Sequence, residues 1–251
     1  MNYAINPRGM RLAVLNGLVG LSLVACGGDE APVASEGGSA SAGASYELTL
    51  QNLTAGQPLS PAVAIVHNEG YQLFEVGQAA GVGLERLAEG AQTDSLLAEI
   101  SDLSTVKASA TSNGGPVGPG NATRFTIEAG DANPAAERLR LSLVTMLVNS
   151  NDAIAAVNGD LDLAMLEVGQ QSVTDLISYD TGTEANRETA ATMPGPAGGG
   201  EGFNPARDDI RDAVHVHQGP VTIDDGLSAS ALSSIHRWQH PVARLTVRRL
   251  N

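Results

Sequence analysis

Cysteine is almost missing from this chain: Cys26 is the only one in 251 residues. An intrachain disulfide is therefore impossible, and no thiol catalyst exists away from position 26. Aromatic residues amount to 3%, so a core has to be built from Val, Leu, Ile and Ala. Positive charge is scarce, with 14 Lys and Arg against 28 Asp and Glu and a formal charge of −14. A surface this acidic repels phosphate backbones and argues against nucleic acid as a partner; it suits divalent cations, or simply solubility in salt. There is no Gly-x-Ser-x-Gly elbow, no His-Glu-x-x-His helix and no Gly-rich phosphate loop, so the common hydrolase and nucleotide signatures are lacking. The longest apolar run, Leu12 to Val24, is about thirteen residues, short of the ~20 a membrane-spanning helix needs.

That run follows Arg8 and Arg11 and ends in Leu23-Val24-Ala25-Cys26-Gly27. It has the length of a signal-peptide apolar region, and small residues before one Cys match a bacterial lipobox. The expectation is a signal peptide over residues 1–25 and a lipid on Cys26, with two or more acyl chains giving stable anchoring. The bland alternative is an ordinary secretory signal with a chance Cys. Gly27 and Gly28 follow Cys26, with no Asp directly after it. In the resemblance to sorted lipoproteins this favours the outer membrane, on its surface or its periplasmic face. Residues 26–44 continue as the lipidated Cys and a Gly-, Ser- and Ala-rich tether.

The remaining segment, 45–251, reads as one all-β domain. Tyr46, Leu48 and Leu50 alternate with polar residues at the period of a half-buried strand. Ala62–His67 reads as a buried strand, and 105–110, 123–127, 138–148, 172–179, 213–217 and 242–250 as further strands. Residues 84–88 and 94–100 read as short helical insertions, the second capped by Thr93 or Asp94. Around eight strands separated by turn signals predict an antiparallel β-sandwich. Residues 181–211 form a long polar, Gly- and Pro-rich excursion of the kind that is functional or disordered.

Three acids stand at strand ends. Asp152 follows the most apolar strand, and Asp180 and Glu184 flank Gly182 just after another. Gly182 permits a positive φ, which lets the loop curl and aim both carboxylates at one point. Oxygen donors on a flexible loop are what Ca²⁺ selects. Acids near Gly in a loop are also common with no such role.

At these positions the sequence resembles the spondin-domain family, known from matrix proteins such as F-spondin and mindin. Leu143 to Asp152 is similar to the family's strand ending in Ser-Pro-Asp-Trp, with Ser150-Asn151-Asp152-Ala153 here. Tyr179-Asp180-Thr181-Gly182-Thr183-Glu184 resembles Tyr-Asp-Ala-Gly-Thr-Asp, with Glu184 one methylene longer. Pro241 to Val247 looks like the closing Pro-(Ile/Val)-Ala-Arg-Val-Thr strand, and Gly202–Pro205 and His215/His217 resemble bacterial members. The resemblance implies a sandwich similar in layout to the calcium-dependent lipid-binding domain of protein kinase C. It also implies a bound Ca²⁺ with Asp152, Asp180 and Glu184 as metal ligands; the nearest match for a further acid is Glu128.

The resulting expectation is a non-enzymatic, calcium-binding adhesion or ligand-binding module at the cell envelope. Its partners would be a membrane, through the lipid anchor, and an extracellular protein, glycan or lipid. The alternatives are a metal-dependent hydrolase that adds His215 and His217 to the acids, and a structural envelope-assembly component. His215 and His217, spaced i, i+2, share a face on a strand and form a possible secondary polar site; hydrogen-bonded packing is their bland reading. Trp238 reads as a cap on the core. Glu75, set among apolar residues, reads as a buried acid in need of a partner.

Overall fold

The computed structural model describes residues 43–251. The segment expected to be a signal peptide, 1–25, Cys26 and the expected tether as far as residue 42 lie outside the described residues. Nine strands follow in chain order: β1 Ser45–Asn52, β2 Val63–His67, β3 Val106–Thr111, β4 Ala122–Glu128, β5 Arg140–Met146, β6 Ala153–Asp162, β7 Gln171–Asp180, β8 His215–Val216 and β9 Ala243–Arg249. Two short helices, α1 Val82–Gly90 and α2 Thr93–Ile100, lie between β2 and β3. All ladders are antiparallel, and the strand path runs β3-β2-β5-β6-β7-β9-β1-β4. The sheet curls until β3 and β4 approach each other, so the sandwich is nearly a closed barrel.

Strand β7 joins the two halves of the sandwich. Its first part, Gln171–Leu176, pairs with β9, and its last part, Ile177–Asp180, pairs with β6. The freed side of Tyr179 and Asp180 is taken by β8. Asp180 therefore ends the strand where three elements meet.

Alternation decides which core each side chain enters. From β1, Tyr46, Leu48 and Leu50 point into the interior between the sheet halves. There they meet Leu141, Leu143, Leu176, Leu245 and Val247, with Trp238 at the edge. The other faces of β2, β5 and β6 send Val63, Ile65, Val144, Met146, Ile154 and Ala156 into a second core beneath α1 and α2. A strand covered on both faces loses its polar alternation, which is why β2 is buried throughout.

The structure corrects four sequence expectations. Strand β6, absent from the strands read in the sequence, is a central strand. Three of the five residues in its Ala-Ile-Ala-Ala-Val start are alanine, which is depleted in strands, and burial on both faces compensates. Helix α2 is preceded by Gln92 as N-cap, with no capping side-chain bond from Thr93 or Asp94. Glu75 is exposed; the turn after Phe74 carries it to the surface, and the buried glutamates of this region are Glu85 and Glu89 on α1. Glu128 pairs with Ser45 at the start of β1. Asp180 lies at the opposite end of the sheet, by way of Leu176 opposite Ala243 and Ala243 opposite Asn52. No helix among the described residues is long and apolar enough to cross a membrane.

Candidate functional site

The β5–β6 turn, the chain after β7 and the two-residue β8 form one rim of the sandwich. The turn is unusually buried for a polar sequence: Asn149, Ser150, Asn151 and Asp152 are at most 2% exposed. The side chains of Asn149, Ser150 and Asn151 are all hydrogen-bonded. Ser150 Oγ donates to the Leu147 carbonyl at 2.6 Å and accepts from Ala153 N–H at 3.0 Å. Asn149 Oδ1 accepts from Ala197 N–H at 3.0 Å, and Asn151 Oδ1 accepts from Glu188 N–H at 3.1 Å. The excursion after β7 thus folds back over the turn and covers it. It also reaches α1, where Asn204 N–H donates to Glu89 Oε2 at 2.8 Å and Arg86 stacks over the Phe203 ring.

The three acids read from the sequence stand at this rim. Ala153 is opposite Asp180 in the β6–β7 ladder, which brings Asp152 beside the chain leaving Asp180. Asp152 Oδ2 accepts from Thr183 N–H at 2.8 Å, Thr181 Oγ1 at 2.9 Å and Glu184 N–H at 3.2 Å. Its Oδ1 has no hydrogen-bond partner among the described residues, although Asp152 is fully buried. Gly182 has φ +72, and its N–H turns back to Asp180 Oδ1 at 2.8 Å, so the curl expected of this loop is present. Asp180 Oδ2 accepts from Asn186 Nδ2 at 2.6 Å. Glu184 shares the rim but turns its carboxylate elsewhere: Oε2 accepts from Asn151 Nδ2 at 3.3 Å, and the charge acting on it most is that of Glu89.

Both histidines approach Asp180, each with Nε2 3.8 Å from Oδ2. Their Nδ1 atoms play opposite roles. His215 Nδ1 lies 3.0 Å from the Ala213 carbonyl, which can only accept, so Nδ1 carries a proton. His217 Nδ1 accepts from Gly219 N–H at 2.9 Å, so its proton sits on Nε2 and faces Asp180. His217 also packs against Trp238, whose Nε1 donates to Ser178 Oγ at 2.8 Å, and a cleft lined by Val216, His217, Trp238 and His240 opens beside it. Trp238 belongs to the edge of the main core.

Burial sets the electrostatics. It raises the pKa of Asp152 to about 6, with the charge of Asp180 adding to the shift, and raises Asp180 as well. Glu184 is pushed up to about 8 by burial and by Glu89, and Glu89 to about 7 by burial. Glu188 is raised by burial, and His217 is lowered to about 4 for the same reason. These groups are held where their charged forms are poorly solvated. Among the described residues, no three Asp, Glu or His side chains already surround one point closely enough to hold an ion. Glu89, Asn151 and Glu188 had no signal in the sequence. Their burial comes from the excursion packing onto the turn and α1.

An antiparallel β-sandwich with a group of carboxylates buried under one loop is the class of protein that fold and site define. The chain belongs to the spondin N-terminal family: a family model described as Spondin_N matches residues 52–194, more than half of it. The match includes Asp152, Asp180 and Glu184 and stops short of β8 and β9. No curated protein matches the chain.

Proposed function

We propose that this chain is an exported, lipid-anchored protein of the cell envelope whose spondin domain is a non-enzymatic ligand-binding or adhesion module. A Ca²⁺ ion bound by Asp152, Asp180 and Glu184 orders its rim. The observation that carries the metal part is the pair Asp152 and Asp180. Two carboxylates stand side by side at 0% and 1% exposure, and one buried oxygen, Asp152 Oδ1, lacks a donor. A buried charge without a partner is costly, and a hard divalent ion supplies one to several oxygens at once. The Glu184 carboxylate would have to swing from Asn151 to join them, a rotation about its own side-chain bonds. Burial also speaks against the hydrolase reading, since Asp152 and Asp180 are at most 1% exposed.

Ca²⁺ at about a hundred times its Kd should stabilise the full-length chain by about 2.7 kcal/mol, raising Tm on the order of 5 °C. Asp180→Ala should abolish the gain. A thermal scan that is the same with Ca²⁺ and with a chelator would remove the metal from this reading.

The anchor is tested separately. Wild-type protein from a bacterial host should partition into detergent and carry acyl mass on Cys26, whereas Cys26→Ser should leave an unacylated product in the aqueous phase. An unmodified Cys26 in the mature wild-type chain would refute the anchor.

A further inference from the structure

The end of the sandwich opposite the acidic rim carries apolar side chains where a solvated surface has polar ones. Ser45, at the start of β1, accepts from Leu250 N–H at 2.8 Å and donates its own N–H to Asn251 Oδ1 at 2.7 Å. Gly169 N–H donates to the Arg249 carbonyl at 2.9 Å, and Arg249 Nη1 donates to the Leu166 carbonyl at 2.9 Å. The point where the chain enters the described residues, the C-terminal residues and the β6–β7 connection therefore share one surface. That connection is two consecutive turns: Leu166 N–H donates to the Leu163 carbonyl at 3.3 Å, and Gln170 N–H to the Glu167 carbonyl at 2.9 Å. Met165 and Val168 occupy central positions of the turns, where Gly, Pro, Asn, Asp and Ser are usual. They are 75% and 62% exposed, and Leu250, just beyond the Arg249 that pairs with Gly169, is 42% exposed. Leu166, between the two tips, is buried in the main core and fixes the turns in place. Arg248 and Glu167 are exposed beside them, one charge of each sign.

We infer that this end of the domain rests on the lipid surface that holds the anchor, with Met165 and Val168 entering the headgroup region and the acidic rim turned away from the membrane. The inference rests on the anchor reading above and adds an orientation to it. A Gly- and Ser-rich linker of the length of residues 26–42 reaches about 20–25 Å on average. It joins the domain at Ser45, so a lipid on Cys26 keeps this surface closer to the bilayer than any other. Two or three apolar side chains are too few to hold a free protein on a membrane. The linker makes the contact intramolecular, at an effective concentration on the order of millimolar, and a weak insertion is then enough. Strand β7 runs its ten residues, about 30 Å, from this surface to Asp180, so the rim would face outward, free to meet a ligand.

The test uses the full-length acylated protein in vesicles of phosphatidylethanolamine and phosphatidylglycerol. Cys26 is the only cysteine, so once it is acylated a thiol introduced by Met165→Cys takes a single bimane label. Ile210→Cys is the control for the label's own apolarity: Ile210 is 98% exposed, two residues after Asp208, whose N–H donates to the Thr183 carbonyl beside the rim. Lipids brominated on their acyl chains should quench the label at 165 at least about three-fold more than the label at 210. With the label moved to Leu250→Cys, adding Met165→Asp and Val168→Asp should abolish quenching while leaving Tm unchanged, since both residues are exposed. If the protein floats with the vesicles but the labels at 165 and 210 are quenched alike, or neither is, the anchor stands and this orientation is wrong. A label at 165 that is shielded from water yet unquenched would assign the surface to a second copy or another protein, and would also overturn the inference. If the protein does not float, the anchor reading falls and the lipid contact falls with it.

Discussion

Replacing Gly182 by alanine should cost the domain on the order of 4 kcal/mol, far more than a surface glycine change. Two penalties add. The residue has φ +72, where a Cβ is strained by about 1–3 kcal/mol. That Cβ would also stand 2.4 Å from Ala213 N and 2.6 Å from Ala213 O, both backbone atoms that cannot rotate away. Overpacking of this kind costs a further ~1–3 kcal/mol. The displaced segment leads directly into β8, so His215 and His217 should move off Asp180 and Ca²⁺ binding should weaken along with stability. Gly199→Ala is the control. Its φ is +74 but no atom lies within 4 Å of the new Cβ, so it should show the conformational cost alone. Chemical denaturation of the two variants measures the difference, and equal losses would mean that the close approach to Ala213 is not what fixes this loop.

In chelator, the protein should become more stable as pH falls from 8.5 to 6.5, by about 2 kcal/mol. Glu184 and Glu89 titrate near about 8 and about 7 in the folded chain but near ~4.3 once unfolded. Across that window the folded state binds protons that the unfolded state does not, so stability drops with rising pH. His217 acts in the opposite direction, but lower down. Its pKa falls to about 4 on folding, so below about 6.5 the unfolded chain takes up a proton the folded one refuses, which offsets one of the two protons held by Glu184 and Glu89 and slows the gain without ending it. Exposed carboxylates paired with arginine, such as Asp175 with Arg244 and Glu69 with Arg140, are lowered and matter only in more acid solution. Glu184→Gln should flatten the rise between pH 8.5 and 6.5 and increase stability at pH 8.5. Saturating Ca²⁺ should oppose it, because an ion favours the ionised acids. A Tm that is flat or that increases with pH in chelator would show that these side chains keep ordinary acidity.

Strands buried on a single face were legible from their period, and β2 and β5, covered on both faces, from their apolar runs. Strand β1 shows Tyr46, Leu48 and Leu50 in strict alternation, and β9 does the same with Ala243, Leu245 and Val247. Strand β6 was missed because helices cover one of its faces and the other sheet half covers its second, which erases the period. The site divides in the same way. Asp152, Asp180 and Gly182 sit next to strands whose ends could be located, so their meeting at one rim followed from the pairing. Glu188 lies in a run of polar residues with no period at all. Glu75 shows the opposite error, since apolar neighbours in sequence said nothing about the direction of a turn.

By itself the sequence determined an all-β domain with an aliphatic core, an acidic surface free of disulfides, and two aspartates placed at neighbouring strand ends around a glycine. These follow from composition, period and local backbone freedom, which need no knowledge of distant contacts. Only the tertiary structure decided which acids lose their water. The excursion after β7 closes over the β5–β6 turn and against α1, burying Asp152, Glu188, Glu184 and Glu89 together. Desolvation is a property of what packs on a residue from afar, and it turned ordinary carboxylates into a candidate cation site.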